Sequence, residues 1–402
     1  MTSPARLCIV CKGSRKLCGW RTCPLYSKIR LAPQIQAALK KDFFGPSTSV
    51  FVGHNFYPDV YVGPMAALDP ANANIEVIDS PQAWFGKPYG DILQFRSLLL
   101  RSQYRENVFS RSKFIEQNQE LALARKPTDV EITFKNVPKL SFEFSDIIHP
   151  MGPSGTVDKF KIVGNPKIPR HVEKVVSDEL RTTEAAFTLY TSGVDIYKLI
   201  TILSSGTFGM RDRRKLVPTR WSITATHSML ANQLLEKIRE YPSINDYQVY
   251  SSEYLDNHYE VLLMPGSWEY ENFECWSPGS YWAQSLKAPE ITEEYEPFGG
   301  RTTYASEQGG GFYANRLGLA EGLEQMKRQA RCVIFREIHQ GYTIPVGVWQ
   351  CLENTRNAFR QQPLKFATLK EALKHISTKL KTPVAEYARK SVILKQKRLG
   401  DF

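Results

Sequence analysis

The sequence predicts an α+β protein: a mixed, largely antiparallel sheet with packed helices, plus a small N-terminal zinc knuckle. Three observations predict it. Short β-branched and aromatic segments alternate with the period of a strand. Other segments carry apolar residues at helical spacing and are bounded by caps, glycines and prolines. Four cysteines crowd into residues 8 to 23, too few residues for a core of their own. With 402 residues, 42% of them hydrophobic, the chain is long enough for two packed lobes. The expected divisions are a knuckle at 1–26, an α+β region at 27–160, a second at 161–385 and a basic tail at 386–402.

Taken in order, "PQIQAALKK" reads as a short helix, and "STSVFVGHNFYPDVYVGPM" as two strands around a turn, because Gly53, Pro58 and Gly63 interrupt an extended pattern. "SPQAWFGKPYGDILQFRSLLLRS" opens as a loop and becomes helical near Gly90. "VEITFKNVP" and "LSFEFS" alternate and predict paired strands. Residues 171–190 and 192–203 are helical in pattern, the second with a capping-box spacing from Ser192 to Asp195 and a stop at Gly206. A helix over 227–241 places Leu230, Leu234, Leu235 and Ile238 on one face, and Pro242 ends it. "YQVYSSEYLDNHYEVLLMP" predicts a hairpin turning near Asp256 and Asn257. A helix over 313–330 leads into two strands, "CVIFREI" and "YTIPVGVWQ". Thr368 and Glu371 form a capping box for a last helix, with Leu369, Leu373, Ile376 and Leu380 on one face.

The formal net charge of +11 is concentrated. The first 41 residues hold nine Lys or Arg and no Asp or Glu, while 211–220 and 389–402 each hold five basic residues against one acid. Such clustering is what a polyanion-binding surface looks like in sequence, although basic faces also serve solubility alone. No apolar stretch reaches the length of a membrane span, and the N-terminus lacks the apolar run of a signal peptide. The expectation is a soluble cytoplasmic protein, nucleoid-associated, with no membrane partner.

Cys8, Cys11, Cys18 and Cys23 can close a tetrahedral thiolate shell around a structural zinc, with an iron–sulfur cluster as the competing occupant. Metal binding would then supply the folding free energy of the knuckle.

Three further segments carry possible phosphate chemistry. "GMRDRRKLVPTRWSITATH" brings Arg211, Arg214 and Arg220 close to Trp221 and Ser222, combining guanidinium groups for phosphate with an indole for a base. The competing reading has Trp221 in the core and the arginines in a surface turn. "HPMGPSGTVDKFKIVGNPKIPRH" offers His149, Ser154, Gly155, Asn165 and Lys167 in a glycine- and proline-rich stretch without a Walker pattern. "EQGGGFYANRLG" imitates a dinucleotide fingerprint around Gly310, Gly311 and Arg316 but lacks the strand that should precede it. A bound nucleotide is therefore a candidate cofactor beside zinc. No catalytic motif is legible, and catalytic residues are unassigned.

The chain ends in "KQKRLGDF", where Gln396, Leu399 and Phe402, spaced three apart, would line up along one side of a 3₁₀ turn but drift around an α-helix. The cysteine cluster, "FVGHNFYPDVYVGPM", "GNPKIPRHVEKVVSDE", "VPTRWSITAT", "GGGFYANRLGLAEGL", "REIHQGYTIPVGVWQ" and this tail together resemble the archaeal NreA family of DNA-repair proteins. That resemblance implies a zinc-binding protein that acts with the replication sliding clamp, PCNA, in the response to DNA damage. It also implies that Gln396 anchors, Leu399 plugs and Phe402 supplies the aromatic of a clamp-binding motif. The alternative is a nucleotide- or nucleic-acid-processing enzyme using Arg220, Trp221 and the glycine loops.

Overall fold

The computed structural model describes residues 9–12, 17, 39–68, 75–139 and 145–395. Cys8, Cys18, Cys23, Gln396, Leu399, Phe402, most of the helix expected in "PQIQAALKK" and the strand expected in "LSFEFS" lie outside those residues. The fold is α+β and divides into two compact units, residues 30–144 with 148–230, and residues 1–29 with 145–147 and 231–402. The boundary expected at 160/161 falls inside a strand. None of the helices among the described residues is long and apolar enough to cross a membrane.

The first unit is a closed five-stranded barrel. Its strands are β1 (Asp42–Val52), β2 (Asp59–Ala67), β3 (Leu99–Asn107), β4 (Thr128–Phe134) and β5 (Ser154–Ile162), in spatial order β1-β2-β3-β5-β4. The long β1 pairs through Asp42 to Ser47 with β4 and through Ser47 to Val52 with β2, and a bulge between Ser47 and Ser49 lets it turn the corner. β3 and β5 run parallel, and the other pairs are antiparallel. Alternation sets the interior: Val50, Val52, Val60, Val62, Leu100, Val130, Ile132 and Val157 fill it. Helix α1 (Lys113–Leu123), between β3 and β4, covers it with Ile115, Leu121 and Ala122. This strand order with a helix after β3 is the OB architecture.

Three further helices, Arg170–Ser177, Thr182–Thr191 and Ile196–Ser204, follow the barrel. The last starts at Asp195, whose side chain accepts from Tyr197 N at 2.8 Å. Ser192 instead ends the preceding helix, so the expected Ser192–Asp195 capping box is corrected to a single Asp195 cap. Helix α2 (Thr219–Ile238) begins eight residues earlier than its apolar face suggested, because Pro218 starts the helical register.

The second unit is a six-stranded sheet in the order β11-β6-β7-β10-β8-β9. Its strands are β6 (Tyr247–Tyr254), β7 (Asn257–Met264), β8 (Glu269–Trp276), β9 (Glu290–Glu296), β10 (Arg331–Ile338) and β11 (Leu364–Phe366). β6 and β7 form the expected hairpin, turning through Leu255 and Asp256, both at positive φ as a tight two-residue hairpin turn requires. β10 is antiparallel to β7 and parallel to β8. One face packs Val249, Leu262, Phe273, Val333 and Phe335 against Ala372, Ile376 and Tyr387. Ala372 and Ile376 belong to the helix Leu369–Ser377, which carries the complete Thr368–Glu371 capping box. On the other face, Tyr270 of β8 packs at a tilt against Phe312 of helix α3 (Gly310–Met326) and donates to its carbonyl. The strand expected in "YTIPVGVWQ" does not form. Its last residues open helix α4 (Trp349–Arg360) instead, because a short apolar run fits either element until its neighbours choose.

Candidate nucleic-acid interface

The loop between β1 and β2 carries Phe56 and Tyr57, both exposed. Neither ring is buried in the barrel, whose interior is already filled by the alternating valines. Tyr57 instead meets Trp221, the third residue of α2, with ring centroids 5.0 Å apart. Trp221 is itself 44% exposed, so the reading that buries it in the core is corrected. The start of α2 is fixed to the barrel by Thr219, whose Oγ1 accepts from Val52 N at 3.0 Å and lies 2.9 Å from Ser204 Oγ. Ser222 is fully buried and donates to Val217 O, so it positions the turn rather than meeting solvent.

Phe56 packs edge-on against Tyr61 of β2, and the Arg105 guanidinium of β3 lies 5.6 Å from its ring centroid. Tyr61 and Arg105 are cross-strand partners, which puts them together on the outer face of the barrel. Beyond the end of β3, Phe109 is 61% exposed with the Lys215 ammonium 5.7 Å from its centroid. The 211–215 segment is tied down there by Leu216 N donating to Val108 O and by Arg111 donating to Arg211 O at 2.7 Å. The acids on this surface are few. Asp59 is 3.8 Å from Arg105, Glu179 pairs with Arg211 at 3.1 Å, and Asp212 is 3.8 Å from Arg213. All three pairs are solvent-exposed and weak.

The remaining expected residues separate. Arg214 is committed to the backbone, its Nε to Gly209 O and its Nη2 to Val176 O. Burial of His149 pushes its pKa down, and Arg96 beside it adds to the effect; Asp79 only partly offsets them, so the ring sits at about 3 and is neutral at pH 7. His149 lies against Trp84, in a cluster where Arg96 pairs with Asp79 and the Thr48 and Ser49 hydroxyls donate to the same carboxylate. Gly155 lies where a Cβ would come within 2.7 Å of Phe134 and 2.9 Å of Pro138, so it serves close packing rather than anion binding. Its neighbour Ser154 heads β5, bridged to Lys139. Asn165 and Lys167 are exposed in the segment after β5, where the Lys167 carbonyl accepts from Arg125 N.

Gly310, Gly311 and Arg316 belong to the second unit. Arg316 is buried, and its Nε and Nη2 both donate to Glu296 Oε1 at 2.9 and 2.7 Å. Gly310 packs against Ile147 and Val348. A Cβ on Gly311 would lie 2.8 Å from Glu274 Oε1, so the charge nearest this helix start is the protein's own carboxylate. Glu274 is the centre of a buried network: it accepts from Arg336 at 2.7 Å and from Lys12 at 2.8 Å, and Arg336 also donates twice to Asn257. Burial alone would raise the Glu274 carboxyl, but the two cations hold it below its ordinary range.

Sequence reasoning found Arg211, Arg220 and Trp221 and missed Phe56, Tyr57, Arg105, Phe109 and Arg111. A signal for the first two was present in "GHNFYPD", where two adjacent aromatics sit in a turn that an apolar core does not need.

The family description "Archaeal Nre, N-terminal" matches residues 17–283, and "Archaeal Nre, C-terminal" matches 296–402. The chain belongs to the archaeal Nre family. It is 37% identical over 393 residues to the DNA repair protein NreB of Archaeoglobus fulgidus, covering 97% of both chains. It is 37% identical to NreA of the same organism over 91% of this chain and 92% of that one. For the DNA repair protein NreA of Haloferax volcanii the identity is 34%, over 87% and 85%. No solved structure matches.

Proposed function

We propose that this Nre protein is a DNA-repair factor that contacts DNA through basic surface and is recruited to the replication sliding clamp by its C-terminal tail. The observation that carries the DNA contact is the run of exposed rings and cations on the barrel, in a chain whose named relatives are DNA repair proteins. Gln396, Leu399 and Phe402 are the proposed clamp contacts, ordered on binding as terminal motifs are. Pull-down on immobilised clamp tests this directly. The wild-type chain is retained, and a Leu399→Ala/Phe402→Ala variant with an unchanged circular dichroism spectrum is not. Equal retention of the variant would end the clamp assignment.

The zinc proposal rests on donor chemistry. Four thiolates suit a closed structural zinc site, and Cys11 is buried. Cys8, Cys11, Cys18 and Cys23 are the proposed ligands, by their thiolate chemistry and spacing. Lys12, next to Cys11, reaches Glu274 and the Gln308 carbonyl, which ties the segment to the sheet. Native mass spectrometry is expected to find one zinc ion per chain, lost in Cys18→Ser/Cys23→Ser.

A further inference from the structure

We infer that the barrel's outer face, from Trp221 through Tyr57 and Phe56 to Phe109, is a binding track for single-stranded DNA. The inference deepens the proposed DNA contact and rests on it for the choice of DNA over other polyanions. Two independent observations converge on the same place. The first is topological: OB barrels bind oligonucleotides on the outer face of strands 2 and 3 and in the loop between strands 1 and 2. Tyr61 and Arg105 occupy that face here, and Phe56 and Tyr57 that loop. The second is compositional. Four large rings stand exposed along one surface, each against a cation or another ring: Tyr57 on Trp221, Arg105 over Phe56 and Lys215 over Phe109.

The chemistry selects the occupant. Exposed rings offer stacking surface, and a base presents its face to such rings only when it is unpaired. A duplex keeps its bases stacked on one another and offers the protein mainly phosphates. A duplex-binding surface would therefore need the cations and not the rings. Arg105 and Lys215 lie against the rings of Phe56 and Phe109, Arg111 and Arg220 add positive charge to the same unit, and the acids Asp59 and Glu179 that pair with its arginines are exposed. An apolar protein partner would have no use for that many guanidinium groups, whereas a polyanion does. The buried arginines of the other unit cannot take this part, because their donors are already spent on Glu274, Asn257 and Glu296.

Fluorescence anisotropy with the full-length protein decides the matter, using a labelled oligo(dT), a duplex of equal length and the corresponding oligo(U). The single strand should bind more tightly than the duplex. Tyr57→Ala/Trp221→Ala should weaken it by about tenfold or more while leaving duplex binding within about twofold. Arg105→Ala and Lys215→Ala should each lower the slope of log affinity against log salt by about 0.7. Quenching of tryptophan emission by oligo(dT) should fall in Trp221→Phe, which keeps a ring and the fold. Equal affinity for duplex, or ring variants that bind oligo(dT) as the wild type does, would overturn the track while leaving a basic DNA-binding surface standing. Tighter binding of oligo(U) than of oligo(dT) would overturn the choice of DNA. Failure to bind any nucleic acid at low salt would remove the proposed DNA contact itself, whereas clamp retention and zinc content do not depend on any of these results.

Discussion

Arg105 and Arg336 carry the same guanidinium group into opposite circumstances. Arg105 lies over Phe56 at the barrel surface with more than half of its side chain in solvent. Arg336 is sealed inside the sheet unit, its donors directed at Glu274 and Asn257, between the rings of Tyr259 and Trp276. The first has its solvation intact and can exchange it for a phosphate at little cost. The second has exchanged its solvation for fixed partners, and taking one away leaves a buried charge with nothing to replace it. A cluster of charge and aromatic residues thus reads as a site in one unit and as an internal brace in the other, and exposure is what separates them.

The sharpest way to break this comparison is Glu274→Leu, which leaves Lys12 and Arg336 facing each other without their shared acid. A loss of about 3–5 kcal/mol in urea unfolding is expected. A loss under about 1 kcal/mol would mean that the network carries no such brace.

The next effect concerns Glu337, on the opposite face of the same sheet. Burial would raise its pKa, but His339, the Lys381 and Thr382 amides and the Tyr387 hydroxyl bring it down to about 2. Its contribution is complete above the ordinary glutamate range and is lost as the pH falls from about 4.5 towards about 2. Glu337→Gln should lower the melting temperature at pH 7 and flatten the acid limb. A variant that keeps the wild-type slope below pH 4.5 would assign that limb to other groups.

The smallest effect is expected at the barrel face. Tyr57→Ala/Trp221→Ala should change unfolding stability by less than about 1 kcal/mol, because both rings are exposed and neither fills the interior. A large loss there would make the rings structural, and the contrast between the two units would collapse.

What the sequence disclosed follows the distance over which each feature is decided. The Thr368–Glu371 capping box is complete within four residues and stands as expected. The β6–β7 hairpin is likewise fixed by its own turn. Barrel closure was not legible, because β1 meets β4 and β3 meets β5 across long stretches of intervening chain, and nothing in β1 itself names its partner. The same reason hid the candidate interface: Tyr57 and Trp221 are far apart in sequence, and each alone reads as an ordinary aromatic. Arg316 misled in the opposite direction. Its neighbouring glycines suggested phosphate, while the carboxylate that holds it, Glu296, sits on β9.

The hydrogen bond from Val52 to Thr219 has a bearing on inheritance. It fastens the end of the first strand to a helix that begins more than fifty residues after the last strand of the barrel. A recombination event that copied residues 42–162 alone would carry all five strands and leave Trp221, Lys215 and Arg220 behind. The strands alone therefore carry Phe56, Tyr57, Arg105 and Phe109 without Trp221 and Lys215, and a gene that acquires the strands acquires the complete surface only if it also takes the chain through the start of α2.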